Sequence, residues 1–388
     1  MPLASAIALL AIQAAPIEVP FRIGEDAIIV DAVVNGRPVS CMFDTGFSGS
    51  FVLDTNLDIG KPTGHMTLQD FVGTFDAPTV KLKSVALGAK KIAVGDLGDV
   101  VQQPGDFSFS YNTHVDGIMG FDVIKDSVTE INFEKKKFIF YPKTVDISKR
   151  VPDNKKTFMA KMLPIGGNSM EMFVEAPSGK KMTLALDTGN AFYGTTHKDV
   201  LERVGLWPSG KDVKYMSSSG VASGVVDSFE LKMPQLKIFG VPVDESYWSI
   251  IDLPSSSAEG DGTVGFGFLS NFNITLDYDR RRVWFENFTG KAANDAEGDV
   301  GISATLNPKT KRTQIVKVTP DSPASAAGIK EGDEVLSIND VELVDVGYRR
   351  FRKLTRGKVG EKVKFAISRR GMLTRYELER KSLVNTTD

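Results

Sequence analysis

The chain of 388 residues has one cysteine and three histidines. A single cysteine excludes an intrachain disulfide framework and any cysteine-rich metal site. His65, His114 and His197 lie far apart and never pair at i, i+4, which argues against a zinc-protease or multi-histidine metal centre. Charge of one sign is also missing. The 47 basic and 49 acidic residues leave a formal charge of −2, so the chain as a whole has no electrostatic footprint for nucleic acid. Long apolar runs are missing too, since none reaches the roughly 20 residues of a membrane-spanning helix. Catalysis is left to carboxylates, hydroxyls and lysines, with no cofactor or metal expected. What remains is ordinary globular material. Hydrophobic residues make up 41% and charged residues 25%, enough for two or three domains of roughly 150 residues each.

The longest apolar stretch is PLASAIALLAIQAA, residues 2–15. It is too short to span a bilayer and ends in small residues near Ala14–Ala15, as the core of a secretory signal does. The sequence therefore predicts a signal peptide over 1–15 and a periplasmic or secreted protein.

An internal duplication organises the next 270 residues or so. Residues 115–142 read VDGIMGFDVIKDSVTEINFEKKKFIFYP, and residues 260–287 read GDGTVGFGFLSNFNITLDYDRRRVWFEN. Both carry Asp-Gly-x-x-Gly-Phe, an alternating apolar stretch, three basic residues and an aromatic-rich strand. Upstream, Asn35-Gly36 and Ser178-Gly179 each lead through an apolar strand into Asp-Thr-Gly, at Asp44–Gly46 and Asp187–Gly189. The offsets nearly agree: 187 minus 44 is 143, and 261 minus 116 is 145. Short alternating runs at Ala27–Val34, Val39–Phe43, Thr79–Leu87, Ile92–Asp96 and Lys137–Tyr141 predict strands. Lys198–Val204 predicts a surface helix. Asp116 and Asp261 read as turn residues and Cys41 as core packing. The triplets Lys135–Lys137 and Arg280–Arg282 read as hairpin turns on a solvated face.

An aspartate at the end of a buried strand, turned by glycine, presents its carboxylate at the mouth of a domain. Doubling the unit brings two such carboxylates together about a pseudo-twofold axis. Two like charges so close share one proton and titrate as a pair. They supply a general base and a general acid around one water, which attacks a carbonyl without metal or covalent intermediate.

The paired triplets, each answered by Ile118-Met119-Gly120 or Thr263-Val264-Gly265, resemble the pepsin and retropepsin aspartic proteases over roughly residues 17–290. The resemblance implies a mainly β, bilobal acid-protease fold and an aspartic endopeptidase with Asp44 and Asp187 as catalytic pair. It implies that Thr45 and Thr188 cross-brace the two loops, and that Gly46 and Gly189 permit their tight turn. It further implies hairpin flaps over a peptide or protein substrate, near Thr67–Pro78 and at Ser217–Asp227. Phe71, Gly73 and Phe75 are the flap and substrate-binding candidates of the first. The pattern departs from the family at Phe47 and Asn190, where a small residue usually follows the triplet. Phe47 has no side-chain donor for the aspartate, which keeps open a second reading: a protease-like scaffold that captures peptides without cutting them.

Composition shifts at Gly290–Asp299, GKAANDAEGD, which reads as a linker. Asp321-Ser322-Pro323-Ala324, Ala327-Gly328-Ile329 and Glu331-Gly332-Asp333 then follow in the order of PDZ domains, particularly those attached to bacterial proteases. The resemblance implies that the loop Val300, Gly301, Ile302, Ser303 holds a terminal carboxylate on its backbone N–H groups. A peptide ligand would then add beside the following strand, with Tyr348 and Phe351 on the helix wall at Val346–Leu354. The expected organisation is lobe 1 at 16–146, lobe 2 at 147–290, a linker at 291–299 and a PDZ domain at 300–384. Because both lobes lie in one chain, a monomer suffices to build the site.

Overall fold

The computed structural model describes residues 15–386 except 70–73, 96, 106, 165–169, 209–212, 222–223, 256–259 and 308. The expected signal peptide, Phe71 and Gly73 lie outside the described residues, apart from Ala15.

Two ten-stranded sheets repeat one strand order. In the first, the path runs Pro62–Gln69, Thr74–Val80, Val100–Gln103, Phe51–Asp54, Gly117–Gly120, Arg37–Asp44, Ile28–Val34, Val85–Leu87, Lys90–Ile92. In the second it runs Met216–Val221, Gly224–Met233, Ser246–Ile251, Gly194–His197, Gly262–Val264, Lys181–Leu186, Glu171–Glu175, Leu236–Ile238, Val241–Val243. Each of the nine strands on the path has one counterpart, the tenth being Arg22–Ile23 beside Ile28–Val34 in the first sheet and Asn385–Thr386 beside Gly224–Met233 in the second, so the duplication read in sequence is a duplication of topology. In both sheets the strand from the Asp-Gly-x-x-Gly motif lies beside the aspartate-bearing strand and parallel to it. It runs antiparallel to its other neighbour.

A six-stranded sheet joins the halves in the order Ile17–Pro20, Lys137–Tyr141, Val128–Asn132, Phe272–Asp277, Arg282–Asn287, Thr157–Lys161. The pseudo-twofold axis passes between its central pair, where Thr129 faces Leu276 and Asn132 faces Asn273. The two hairpins that meet there turn through the basic triplets, with Lys136 and Arg281 at φ +51° and +53°. One apolar cluster runs through both lobes, including Phe43, Phe138, Leu186, Trp248, Phe272 and Phe285. Each such side chain stabilises by about 1.5–3 kcal/mol.

Local departures from the predicted elements have nonlocal causes. Thr79–Leu87 is two strands, because Asn35 Oδ1 accepts from the backbone N–H of Lys83 and Ser84 and folds the chain there. Most of Ile92–Asp96 lies beyond the strand Lys90–Ile92. The helix Lys198–Val204 forms as predicted and ends on Gly205 at φ +78°, the left-handed conformation glycine adopts without strain.

The C-terminal module is a separate sheet, Ile302–Asn307, Arg312–Val318, Glu334–Ile338, Lys362–Arg369, Met372–Glu379, with the helix Tyr348–Thr355. Its core, around Ile315, Val335, Phe351 and Phe365, is distinct from that of the lobes. The Gly290–Asp299 stretch, expected to be a linker, is pinned along its length. Ala292 O accepts from the Tyr193 hydroxyl at 2.7 Å, and Asn294 exchanges hydrogen bonds with the Tyr247 backbone. Asp299 bridges to Lys381. The last described strand, Asn385–Thr386, pairs parallel to Leu231–Lys232 in lobe 2.

Candidate active site

Asp44 and Asp187 meet at the axis and share a side-chain hydrogen bond. The residues just before them, Phe43 and Leu186, are both fully buried, which holds the carboxylates at the seam. The loops interlock. Thr45 Oγ1 donates to Leu186 O at 2.7 Å, and Thr188 Oγ1 donates to Phe43 O at 2.9 Å. Each hydroxyl also accepts from the other loop: Thr188 N to Thr45 Oγ1 at 2.9 Å, Thr45 N to Thr188 Oγ1 at 3.1 Å. Four bonds thus cross the seam from two buried side chains, one from each lobe. Gly46 and Gly189 each pass under the opposite lobe's aspartate, and a Cβ at Gly46 would sit 2.7 Å from Asp187 Cγ.

The electrostatics of the two carboxyls differ. Burial raises both above the usual carboxylate range, Asp44 well above it. The neighbouring charge raises Asp44 further, and the amides of Gly46 and Phe47 lower it. Gly46 N donates at 2.8 Å. Asp187 accepts from Asp44, from Asn190 N at 3.0 Å, from Gly189 N at 2.8 Å and from the Thr263 hydroxyl. More donors favour the charged form. The donors gathered on Asp187 favour its charged form more than those on Asp44 do.

The residues after the triplets explain part of this. Asn190 reaches Asp187 through its backbone N–H. Its side chain instead donates to Thr195 Oγ1 and Thr263 Oγ1, at 2.9 and 2.8 Å. Phe47 packs with Ile118 on Val52, Ala77 and Val101. Thr263 was not singled out in the sequence. Its only signal is that it replaces Ile118 at the matching place in the repeat. Tyr111 was also missed: its phenol is buried, which raises its pKa, and it lies within electrostatic reach of Asp44, Asp187 and Arg349. Asp116 and Asp261 are structural, each accepting from the backbone N–H of a neighbouring strand, Ser40 and Thr183.

Hairpins stand in both expected flap positions, Pro62–Gln69 with Thr74–Val80 and Met216–Val221 with Gly224–Met233. Phe75 pairs with Leu68 in the first.

The C-terminal module departs most from expectation. The backbone N–H groups of Val300 and Gly301 donate to Asp299 Oδ1, at 2.6 and 2.9 Å, so the chain's own carboxylate fills that cradle. Asp299 Oδ2 in turn lies 3.2 Å from Arg356 Nε. Ile302 is buried in the module's core. Ser303 Oγ accepts from Ser218 N of the lobe 2 hairpin at 3.2 Å. The Tyr348 hydroxyl donates to Ser218 O at 2.6 Å, and the Thr319 hydroxyl to Met216 O at 2.8 Å. Tyr348 thus faces the lobe rather than an open groove, and Phe351 is 2% exposed inside the core. A cavity of about 350 Å³ lies between this helix and lobe 2, lined by Phe192, Ser217, Ser219, Arg352 and Arg356 among others.

Among known proteins, the PDZ domain family matches residues 288–368. The match to a probable CtpA-like serine protease from Staphylococcus haemolyticus is 40% identical over 76 residues, 19% of this chain and 15% of that protein. A probable periplasmic serine endoprotease, DegP-like, from Rhizobium meliloti is 37% identical over 54 residues, 14% of this chain and 11% of that one. The chain therefore spans about 15% or less of the length of these relatives. The aspartic proteinase from Irpex lacteus overlays 72% of this chain and 99% of its own, with 15% identity and a TM-score of 0.45. The chain is mainly β, with two lobes of one repeated strand order followed by a PDZ domain.

Proposed function

We propose that the protein is an aspartic endopeptidase. The observation that carries this reading is the axial pair Asp44–Asp187 on interlocked Asp-Thr-Gly loops, with one carboxyl favoured neutral and the other charged. Asp187 takes a proton from a water held between the carboxyls, and the water oxygen attacks the scissile carbonyl. Asp44 gives its proton to the carbonyl oxygen, forming a neutral tetrahedral diol. Asp187, now protonated, passes its proton to the amide nitrogen as the C–N bond breaks. Asp44 recovers its proton from a diol hydroxyl as the carbonyl re-forms. The PDZ domain gates rather than recruits: its strand and helix contact the lobe 2 hairpin, and its carboxylate cradle is filled from within the chain. The substrate is a peptide or protein segment that the hairpins enclose. A periplasmic or secreted setting agrees with the apolar N-terminal stretch and with the probable periplasmic serine endoprotease among the relatives.

A digest of a diverse peptide library by the purified chain tests the reading. Asp44→Asn and Asp187→Asn are each expected to lose at least about a thousandfold in kcat/KM, about 4 kcal/mol of barrier. Unchanged cleavage by either variant would overturn the mechanism. No cleavage by the unmodified chain, with peptides still bound, would favour the capturing scaffold that Phe47 keeps in play.

A further inference from the structure

The PDZ helix Tyr348–Thr355 reaches the seam between the lobes through Arg349. Arg349 Nη1 donates to Glu25 O at 3.1 Å and Asp26 O at 3.0 Å in lobe 1. Arg349 Nη2 donates to Gly189 O at 2.6 Å in the Asp187 loop of lobe 2. The guanidinium stacks over Tyr111, 5.0 Å from the ring centroid. A planar fork with several donors can bind three carbonyls and a ring face together, which an ammonium cannot.

The Gly189 carbonyl shares a peptide unit with the N–H of Asn190, and that N–H donates to Asp187 Oδ1. The cation of Arg349 and the carboxylate of Asp187 therefore sit at opposite ends of one peptide dipole. A charge-assisted bond at the carbonyl end polarises the unit and strengthens its N–H as a donor. We propose that Arg349, supplied by the PDZ domain, is a positioning residue for the dyad: through the Gly189–Asn190 peptide it holds Asp187 as the ionised member of the pair. The proposal rests on the reading of Asp44 and Asp187 as the catalytic pair and adds a structural part to it.

The charged and titratable groups around this relay are few. Asp44 faces Asp187, and Tyr111 lies under the guanidinium with its proton held by burial. Glu25 and Asp26 flank Arg349. Both are met by Lys353, at 2.9 and 3.2 Å, and Glu25 also by Arg350 at 3.5 Å. Lys353 docks the same helix on the same lobe 1 loop. It is therefore the control for docking alone.

The test titrates the full chain labelled with carbon-13 at aspartate Cγ, the Asp187 signal being identified by its loss in Asp187→Asn. Arg349→Gln is expected to move the protonation step of Asp187 upward by about half to one pH unit, the worth of one charge-assisted contact. Arg349→Lys keeps a cation and one donor and is expected to move it less. Lys353→Gln is expected to leave it in place. A step in Arg349→Gln at the wild-type pH would overturn the proposal, and so would an equal shift in Lys353→Gln. The titration needs no substrate. A shifted step in a chain that cuts no peptide would refute the endopeptidase reading and leave the positioning role standing.

Discussion

The two lobes share one strand order yet solve the same local problem in opposite ways. In lobe 2, Asn190 and Thr263 meet across the aspartate loop by a hydrogen bond, and Thr263 also bonds Asp187. In lobe 1 the matching positions are Phe47 and Ile118, and both pack into an apolar cluster. The pair is polar in one lobe and apolar in the other, so each loop keeps its neighbours satisfied. The consequence is electrical. The Thr263 hydroxyl adds to the backbone donors that lower Asp187, while burial and the Asp187 charge hold Asp44 well above the usual carboxylate range. The hairpins differ in the same sense. The lobe 2 hairpin is held by Ser303, Thr319 and Tyr348 of the PDZ domain, and Lys317 pairs with its Asp227. A duplicated scaffold thereby carries two differently surrounded carboxyls and two differently held hairpins.

The seam common to both lobes should be the most sensitive point. Thr188→Val removes a buried hydroxyl that both donates and accepts across the axis, stranding Phe43 O and the N–H of Thr45. The expected loss is about 2–4 kcal/mol of stability, read by urea unfolding. A loss below about 0.5 kcal/mol would show that the lobes do not depend on the lock. Thr263→Val makes lobe 2 more like lobe 1 by deleting the hydroxyl on Asp187. The acidic limb of the kcat/KM profile should rise by about one pH unit. An unchanged limb would remove Thr263 from the account of asymmetry. The smallest effect concerns the hairpins. Tyr348→Phe removes the bond to Ser218 O, worth about 1 kcal/mol. Amide hydrogen exchange over residues 216–221 should quicken roughly fivefold, while the strand Pro62–Gln69 in lobe 1 stays unchanged. Equal quickening of both hairpins would mean that the PDZ contact does not single out lobe 2.

The duplication was legible because its signals are local. Asn35-Gly36, Gly179, the two triplets and the two Asp-Gly-x-x-Gly motifs mark turns and strand ends whatever surrounds them. The short helix Lys198–Val204 was legible for the same reason. Other features depend on what the fold brings together. Asn35 breaks the Thr79–Leu87 run from 46 or more residues away. Thr263 is unremarkable until it stands beside Asn190, and Arg349 until its helix is set against the seam. Asp299 closes a polar stretch that reads as a linker, yet its side chain caps the following loop. The PDZ candidates Val300, Gly301 and Tyr348 were placed for an outside peptide, whereas in the folded chain their polar groups are taken by Asp299 and Ser218.

The central claim is that one proton is shared unequally, with Asp187 charged and Asp44 neutral. It is tested most directly by the pH dependence of kcat/KM for the unmodified chain. The expected profile is a bell. Activity falls in acid as Asp187 takes up a proton, and falls in alkali as Asp44, held well above the usual carboxylate range, gives its proton up. A profile that keeps rising through neutral pH, with no loss as Asp44 ionises, would contradict it.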